Sequence, residues 1–207
     1  MNRPDATANE HARNRPTASD DLDAGASTDA PGRLLDREAI RDCLYRYCRG
    51  IDRADEASLR DSYWPDAHDS HGATSGPIEI FFERVRAAFA RGPRNVHRIT
   101  NILIEFAGPD TAIVESCFDA LQRGPGPDGI TRQFHLAGRY CDRFEKRAGH
   151  WRVARRVVVY DWVDEQTAAS DDERTRFGVR QPVGEAWPHD TIYRLLAEAR
   201  QDTGAAD

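Results

Sequence analysis

The sequence predicts an α+β domain: helices first, then an antiparallel meander, curved around a pocket. Three observations predict it. Apolar residues recur at helical spacing between Ile40 and Phe89. After Gly92-Pro93 the pattern changes to four runs rich in Val, Ile, Phe, Tyr and Trp, at 95–106, 111–122, 130–145 and 151–163. The links between those runs are too short for anything but hairpins. Helices grouped before strands give α+β order, and long strands backed by helices on one face must curve and enclose a cavity.

Each element has its own reason. Asp36 suits a helix N-cap, and the stripe Ile40, Cys43, Leu44, Tyr47, Cys48, Ile51 follows it. Gly50 weakens the last turn. A short second helix is expected from Asp55, carrying Leu59, Tyr63 and Trp64 and stopped by Pro65. Residues 66–75 read as a polar loop holding His68 and His71. Gly76-Pro77 opens a third helix with Ile78, Phe81, Phe82, Val85 and Phe89 on one face. Gly108-Pro109-Asp110, the Gly/Pro-rich run 124–129 and Ala148-Gly149 turn the strands.

Residues 1–33 are almost devoid of large apolar side chains and read as a disordered tail. Residues 34–165 form the domain. Residues 166–207 are a polar extension, partly docked through Val183, Trp187, Ile192, Tyr193 and Leu195-Leu196. The formal net charge of −6 argues against a duplex nucleic-acid binder. No run is long and apolar enough to cross a bilayer, and residues 1–33 have no secretory h-region, so a cytoplasmic, reduced protein is the expectation. The four cysteines, Cys43, Cys48, Cys117 and Cys141, form no C-x-x-C pair, and Cys43, Cys48 and Cys117 read as small buried hydrophobes. His68, His71 and His135 match no closed metal-site spacing, so no metal is expected.

The chemistry worth following is in polar residues set among apolar ones. Asp52 lies at the edge of the first helix's stripe, about 100° from its centre. Helix geometry alone favours a solvated or capping carboxylate near the helix end. His97 opens the first long strand, where both faces are mixed, so periodicity does not say which face is inside; a satisfied core histidine is the alternative. If the two meet in a dry pocket, they form a general base able to work near neutral pH. Asp119 sits in a strand that should be largely covered and needs a partner, with Arg156 and Arg139 available; a structural ion pair is the alternative. Tyr47 is in mid-stripe, either core filler or a hydroxyl offered to the pocket. No nucleophile elbow, P-loop or dinucleotide fingerprint is present.

The segments 36–52, Trp64-Pro65-Asp66-Ala67, His71-Gly72, Gly76-Pro77, 96–101, 138–144, 151–156 and Asp161-Trp162 resemble the SnoaL-like proteins of the nuclear transport factor 2-like superfamily. The resemblance covers roughly residues 34–165. It implies a cone of helices against a curved antiparallel sheet. Asp52 and His97 fall where scytalone dehydratase, hexachlorocyclohexane dehydrochlorinase and bile acid 7α-dehydratase carry a catalytic dyad. Tyr47 matches the tyrosine of the bile acid dehydratase pattern, and Asp119 and Arg156 its further aspartate and arginine.

Together these readings give a cofactor-independent lyase or isomerase acting on a hydrophobic ring compound. Its pocket is expected to be lined by Trp64, Phe81, Phe82, Phe118 and Tyr140. A polyketide cyclase, an epoxide hydrolase using Asp119 and Arg156, and a non-catalytic subunit like those of ring-hydroxylating dioxygenases are the alternatives. A homodimer or homotrimer is expected from an apolar outer sheet face.

Overall fold

The computed structural model describes residues 30–92, 94–126, 128–167 and 182–202. The expected tail falls mostly outside them, as do parts of the C-terminal extension. Helix α1 spans Ala30–Arg53 and α2 spans Glu56–Arg60. Strands β1 (Tyr63–His71) and β2 (Thr74–Pro77) precede α3 (Ile78–Phe89). Four long strands follow: β3 (Arg94–Phe106), β4 (Thr111–Pro125), β5 (Thr131–Arg147) and β6 (His150–Thr167). Helix α4 (Thr191–Asp202) comes last.

The six strands form one open sheet in the order β2-β1-β6-β5-β4-β3. The pairs from β3 to β6 are antiparallel, as the short links require. The sheet as a whole is mixed, because β1 runs parallel to β6. It curves at register irregularities: one in β3 between Thr100 and Leu103, two in β6, where Asp161 and Ala154 are the extra residues opposite Ala137/Gly138 and Arg143/Phe144 of β5, and one between Tyr63 and His68 of β1. Bulges bend strands in this way. At Gly138 a Cβ would lie 2.0 Å from the Val159 carbonyl oxygen, so only glycine allows that corner.

Three sequence expectations change. First, α1 begins before Asp36, which is not a cap. Its Oδ1 accepts from Lys146 Nζ and Trp151 Nε1, both at 2.8 Å, tying the helix to the far end of the sheet. Arg33, expected in the tail, stacks over Phe106 at 4.1 Å. Second, Tyr63 and Trp64 belong to β1 rather than to the second helix, which ends at Arg60. Third, residues 66–75 are not a loop but the β1–β2 hairpin, with Asp69 registered on Arg156. Asp66, His68, Asp69 and Ser70 carry no strand propensity; pairing along β6 supplies it instead.

The core lies between the helices and the concave sheet face. It joins Ile40, Leu44 and Tyr47 of α1 to Phe81 and Val85 of α3 and to Val114, Phe118, Tyr140 and Val153 of the sheet. Asp55 caps α2 as expected, accepting from the Ser58 N–H at 3.0 Å. Gly50 does more than weaken a turn. A Cβ there would lie 2.7 Å from the Leu59 backbone nitrogen, so glycine lets α2 fold back onto α1. No helix among the described residues is long and apolar enough to cross a membrane.

Candidate active site

Asp52 ends the buried stripe of α1, and β3 passes it in the sheet. The two elements bring His97 against the carboxylate. His97 Nδ1 lies 2.6 Å from Asp52 Oδ1, and the His97 backbone N–H donates to Oδ2 at 2.8 Å. Their side chains are 6% and 11% exposed, so the pair is shielded from water. An ionised carboxylate only accepts. Nδ1 of the neutral ring therefore carries the hydrogen, and Nε2 keeps its lone pair.

The mixed faces of β3 now have an explanation. Asn95, His97 and Ile99 face the core, and after the bulge, where Asn101 takes φ 49°, the inner set becomes Ile102, Ile104 and Phe106. A register shift inside one strand makes both of its faces look half apolar.

His97 lines a cavity of about 490 Å³ between α3, the end of α1 and the β4–β5 hairpin. Tyr47 and Phe81 line it as expected. Tyr47 is 1% exposed and lies edge-on to His97, ring centroids 6.5 Å apart. Burial pushes its phenol well above the ordinary range, so the hydroxyl keeps its proton and can donate.

The other expected site residues lie elsewhere. Arg156 is fully buried and binds Asp142 in a two-pronged pair, Nε to Oδ1 at 2.8 Å and Nη2 to Oδ2 at 2.7 Å. It stacks under Tyr47 and Tyr140 at 4.3 and 4.1 Å, supporting the wall from behind. Asp119 is on the opposite face of the sheet, against His135 at 2.8 Å and Arg98 at 3.7 Å. Strand alternation puts it there, since Phe118 and Ala120 take the inner face. Phe118 stacks on Tyr140 at 4.7 Å, both buried behind Tyr47. Trp64 and Phe82 line a different hollow, where Trp64 lies beneath Arg147 and Arg152.

Sequence reasoning missed His71. As the last residue of β1 it lines the cavity and stacks on Phe81 with centroids 5.1 Å apart. Its Nδ1 is buried without a hydrogen-bond partner, as is Asp69 Oδ1, 3.7 Å away. Burial, with Arg84, Arg156 and His97 adding to it, pushes the ring down to about 3, so His71 is neutral. Burial pushes Asp69 up to about 6. The pairing of β1 with β6 was the missing signal. Arg84, Phe89, Arg91 and Phe134 also reach the cavity.

His68, His71 and His135 go to three separate places, and no group of three metal-ligating side chains gathers among the described residues. Burial pushes the Cys43 and Cys48 thiols up to about 12, so neither is a thiolate nucleophile near neutrality.

The SnoaL-like domain model matches residues 32–157. The chain belongs to the SnoaL-like family. It is 26% identical over 126 residues to hexachlorocyclohexane dehydrochlorinase 1 of Sphingobium indicum, an alignment covering 59% of this chain and 80% of that one. Its fold is similar to that of a scytalone dehydratase candidate from Novosphingobium aromaticivorans, with TM-score 0.59 and 19% identity over 75% of this chain and 98% of the other. It is also similar to a hexachlorocyclohexane dehydrochlorinase of type 3 from Novosphingobium barchaimii, with TM-score 0.57 and 23% identity over 67% and 95%. These likenesses show the cone-shaped α+β fold, here as helices on an open, mixed, curved sheet.

Proposed function

We propose that this SnoaL-like protein is a cofactor-independent lyase or isomerase that takes a proton from carbon on a hydrophobic ring compound. The observation carrying the reading is the 2.6 Å contact that fixes His97 on Asp52 while the ring lines the cavity. His97 Nε2 accepts the proton. The C–H electron pair moves into the substrate, either expelling a leaving group from the neighbouring carbon, or shifting a double bond with the imidazolium returning its proton to the distal carbon. Asp52 orients the imidazole and stabilises the imidazolium that forms, as a buried carboxylate does in hydrolase triads. Tyr47, protonated and facing the same space, donates to the oxygen or leaving group where negative charge develops. Similarity to a hexachlorocyclohexane dehydrochlorinase supports the lyase class.

Phe81, Val85, Phe89 and Phe134 give the cavity its apolar lining, and its volume suits a compound of one to three rings. The epoxide hydrolase alternative loses its basis, because Asp119 and Arg156 lie on opposite faces of the sheet. We further propose that the outer face, with Leu103, Ile113, Leu121 and Trp162 exposed, is the contact of a homodimer or homotrimer; light scattering decides it.

The test is turnover of a panel of hydroxylated, halogenated and unsaturated ring compounds followed by mass spectrometry. Loss of water or of hydrogen halide identifies a lyase, and equal mass with a new retention time an isomerase. His97→Ala should lower the rate at least about a hundredfold with the fold intact. An unchanged rate in that variant removes the proposed base, and binding without turnover across the panel returns the protein to a scaffold role.

A further inference from the structure

The cavity is cationic in an acidic protein. The chain has 35 Asp and Glu against 29 Lys and Arg. Yet four arginines, Arg84, Arg91, Arg123 and Arg132, line the cavity, and among the described residues no Asp or Glu does. This inversion is local: the arginines around the apolar hollow have no carboxylate beside them in its described lining, although carboxylates outnumber cations in the chain.

Two of the four stand on one stripe of α3 and the turn after it. Phe81, Arg84, Ala88 and Arg91 recur at three- and four-residue spacing and all line the cavity. Arg84 Nη1 donates to the His71 carbonyl at 3.1 Å and to Thr74 Oγ1 at 2.8 Å. Arg91 Nη1 donates to the Ala87 carbonyl at 3.0 Å. These acceptors are neutral, so they position the side chains and leave their charge in place. Arg132 differs: Asp128 and Glu165 offset it at 2.6 and 3.2 Å. Arg84 and Arg91 are exposed at the outer rim, whereas Tyr47 and His97 are shielded at the inner end.

We infer that the ligand of this cavity is an apolar ring body carrying one anionic group, with the anion between Arg84 and Arg91 and the ring against Phe81 and Tyr47. The inference rests on reading this cavity as the substrate site, and it adds what that reading lacks: a charge on the substrate and a direction of entry. Guanidinium groups bind carboxylate and phosphate oxygens through paired N–H donors, and a low-dielectric wall strengthens the attraction. A focused positive potential also raises the local concentration of an anion before it binds. Held at the rim, the anion would put the far side of its ring at the inner end, beside His97 Nε2.

The test uses 2-naphthoate, methyl 2-naphthoate and 2-naphthyl phosphate, with binding followed by their fluorescence. At about 50 mM salt, naphthoate should bind at least about tenfold tighter than its neutral ester, and the preference should shrink severalfold at about 0.5 M salt. Arg84→Gln/Arg91→Gln should abolish the preference while keeping the ester's affinity, which also reports that the cavity is intact. Arg84→Lys should retain most of it. Naphthyl phosphate binding tighter than naphthoate makes a phosphorylated ring the ligand, and weaker binding makes it a ring carboxylate.

Equal affinity for acid and ester, undetectable binding of both anions, or an undiminished preference in the double glutamine variant overturns the inference. His97→Ala separates it from the proposed reaction. That variant should keep the anion preference whether or not catalysis depends on His97. An anion preference in a protein that turns nothing over would leave the inference standing and sink the enzymatic reading; turnover of neutral rings alone would do the reverse.

Discussion

Asp52 decides which nitrogen of His97 carries the proton. A carboxylate can only accept, whereas an amide can donate to Nδ1 and leave the hydrogen on Nε2, facing the substrate. Asp52→Asn should therefore keep the fold and lose about a hundredfold or more in kcat, with little change in KM; equal kcat in the variant would mean that the 2.6 Å contact is structural. Asp119→Asn is the matched control and should leave turnover within about twofold, since its carboxylate serves only His135 and Arg98 on the outer face. Tyr47 and Arg156 show a second distinction at this scale. Both were candidates from position alone, but only Tyr47 lines the cavity, while the donors of Arg156 that face Asp142 are committed to it.

At the level of elements, the dyad exists because the end of one helix is held against one strand. Gly50 sits two residues before Asp52, at the point where α2 folds back onto α1. Gly50→Ala would gain helix propensity but push the two helices apart, a net loss of about 1–3 kcal/mol on unfolding in urea. It should also shift Asp52, so activity should fall by more than the loss of folded protein explains. An activity loss tracking stability alone would show that the α1–α2 contact does not set the dyad. The β3 bulge works in the same way. It lets His97 and Phe106 share the inner face although they are an odd number of residues apart.

For the whole molecule, the buried edge of β1 sets the acid response. His71 is held neutral, with its value lowered from 6.5 to about 3. A group whose folded value is depressed below its unfolded one, here a base, supplies stability fully present above pH 6.5 and lost as pH falls from there toward 3. Asp69 acts in the opposite sense: its value is raised from 3.8 to about 6, so the fold gains as pH falls through 6 toward 3.8. The two effects cancel between about pH 6 and 3.8, so the larger histidine shift leaves its net loss of stability between 6.5 and 6 and again below about 3.8. His71→Phe, which keeps the stack on Phe81, should match the parent's urea midpoint near pH 8 and exceed it near pH 4. Parallel pH profiles for the two proteins would show that His71 does not titrate on unfolding. The C-terminal segment closes over the helix ends of the same body. The Trp187 N–H donates to the Arg53 carbonyl at 2.6 Å, and the Tyr193 hydroxyl donates to Asp55 at 3.0 Å.

The sequence by itself determined the C-terminal four-strand meander, the stripe of α1, the cap at Asp55 and the residue pair proposed to carry the chemistry. Each is written in local period or in a family pattern, and local signals survive without coordinates. Only the tertiary structure decided that β1 is a strand, that Asp119 faces outward, that Trp64 and Phe82 line another hollow, and that His71 and four arginines converge on the cavity. Those outcomes depend on the parallel pairing of β1 with β6 and on bulges that change which face a residue takes. Both are contacts between segments far apart in the chain, where neither composition nor periodicity leaves a mark.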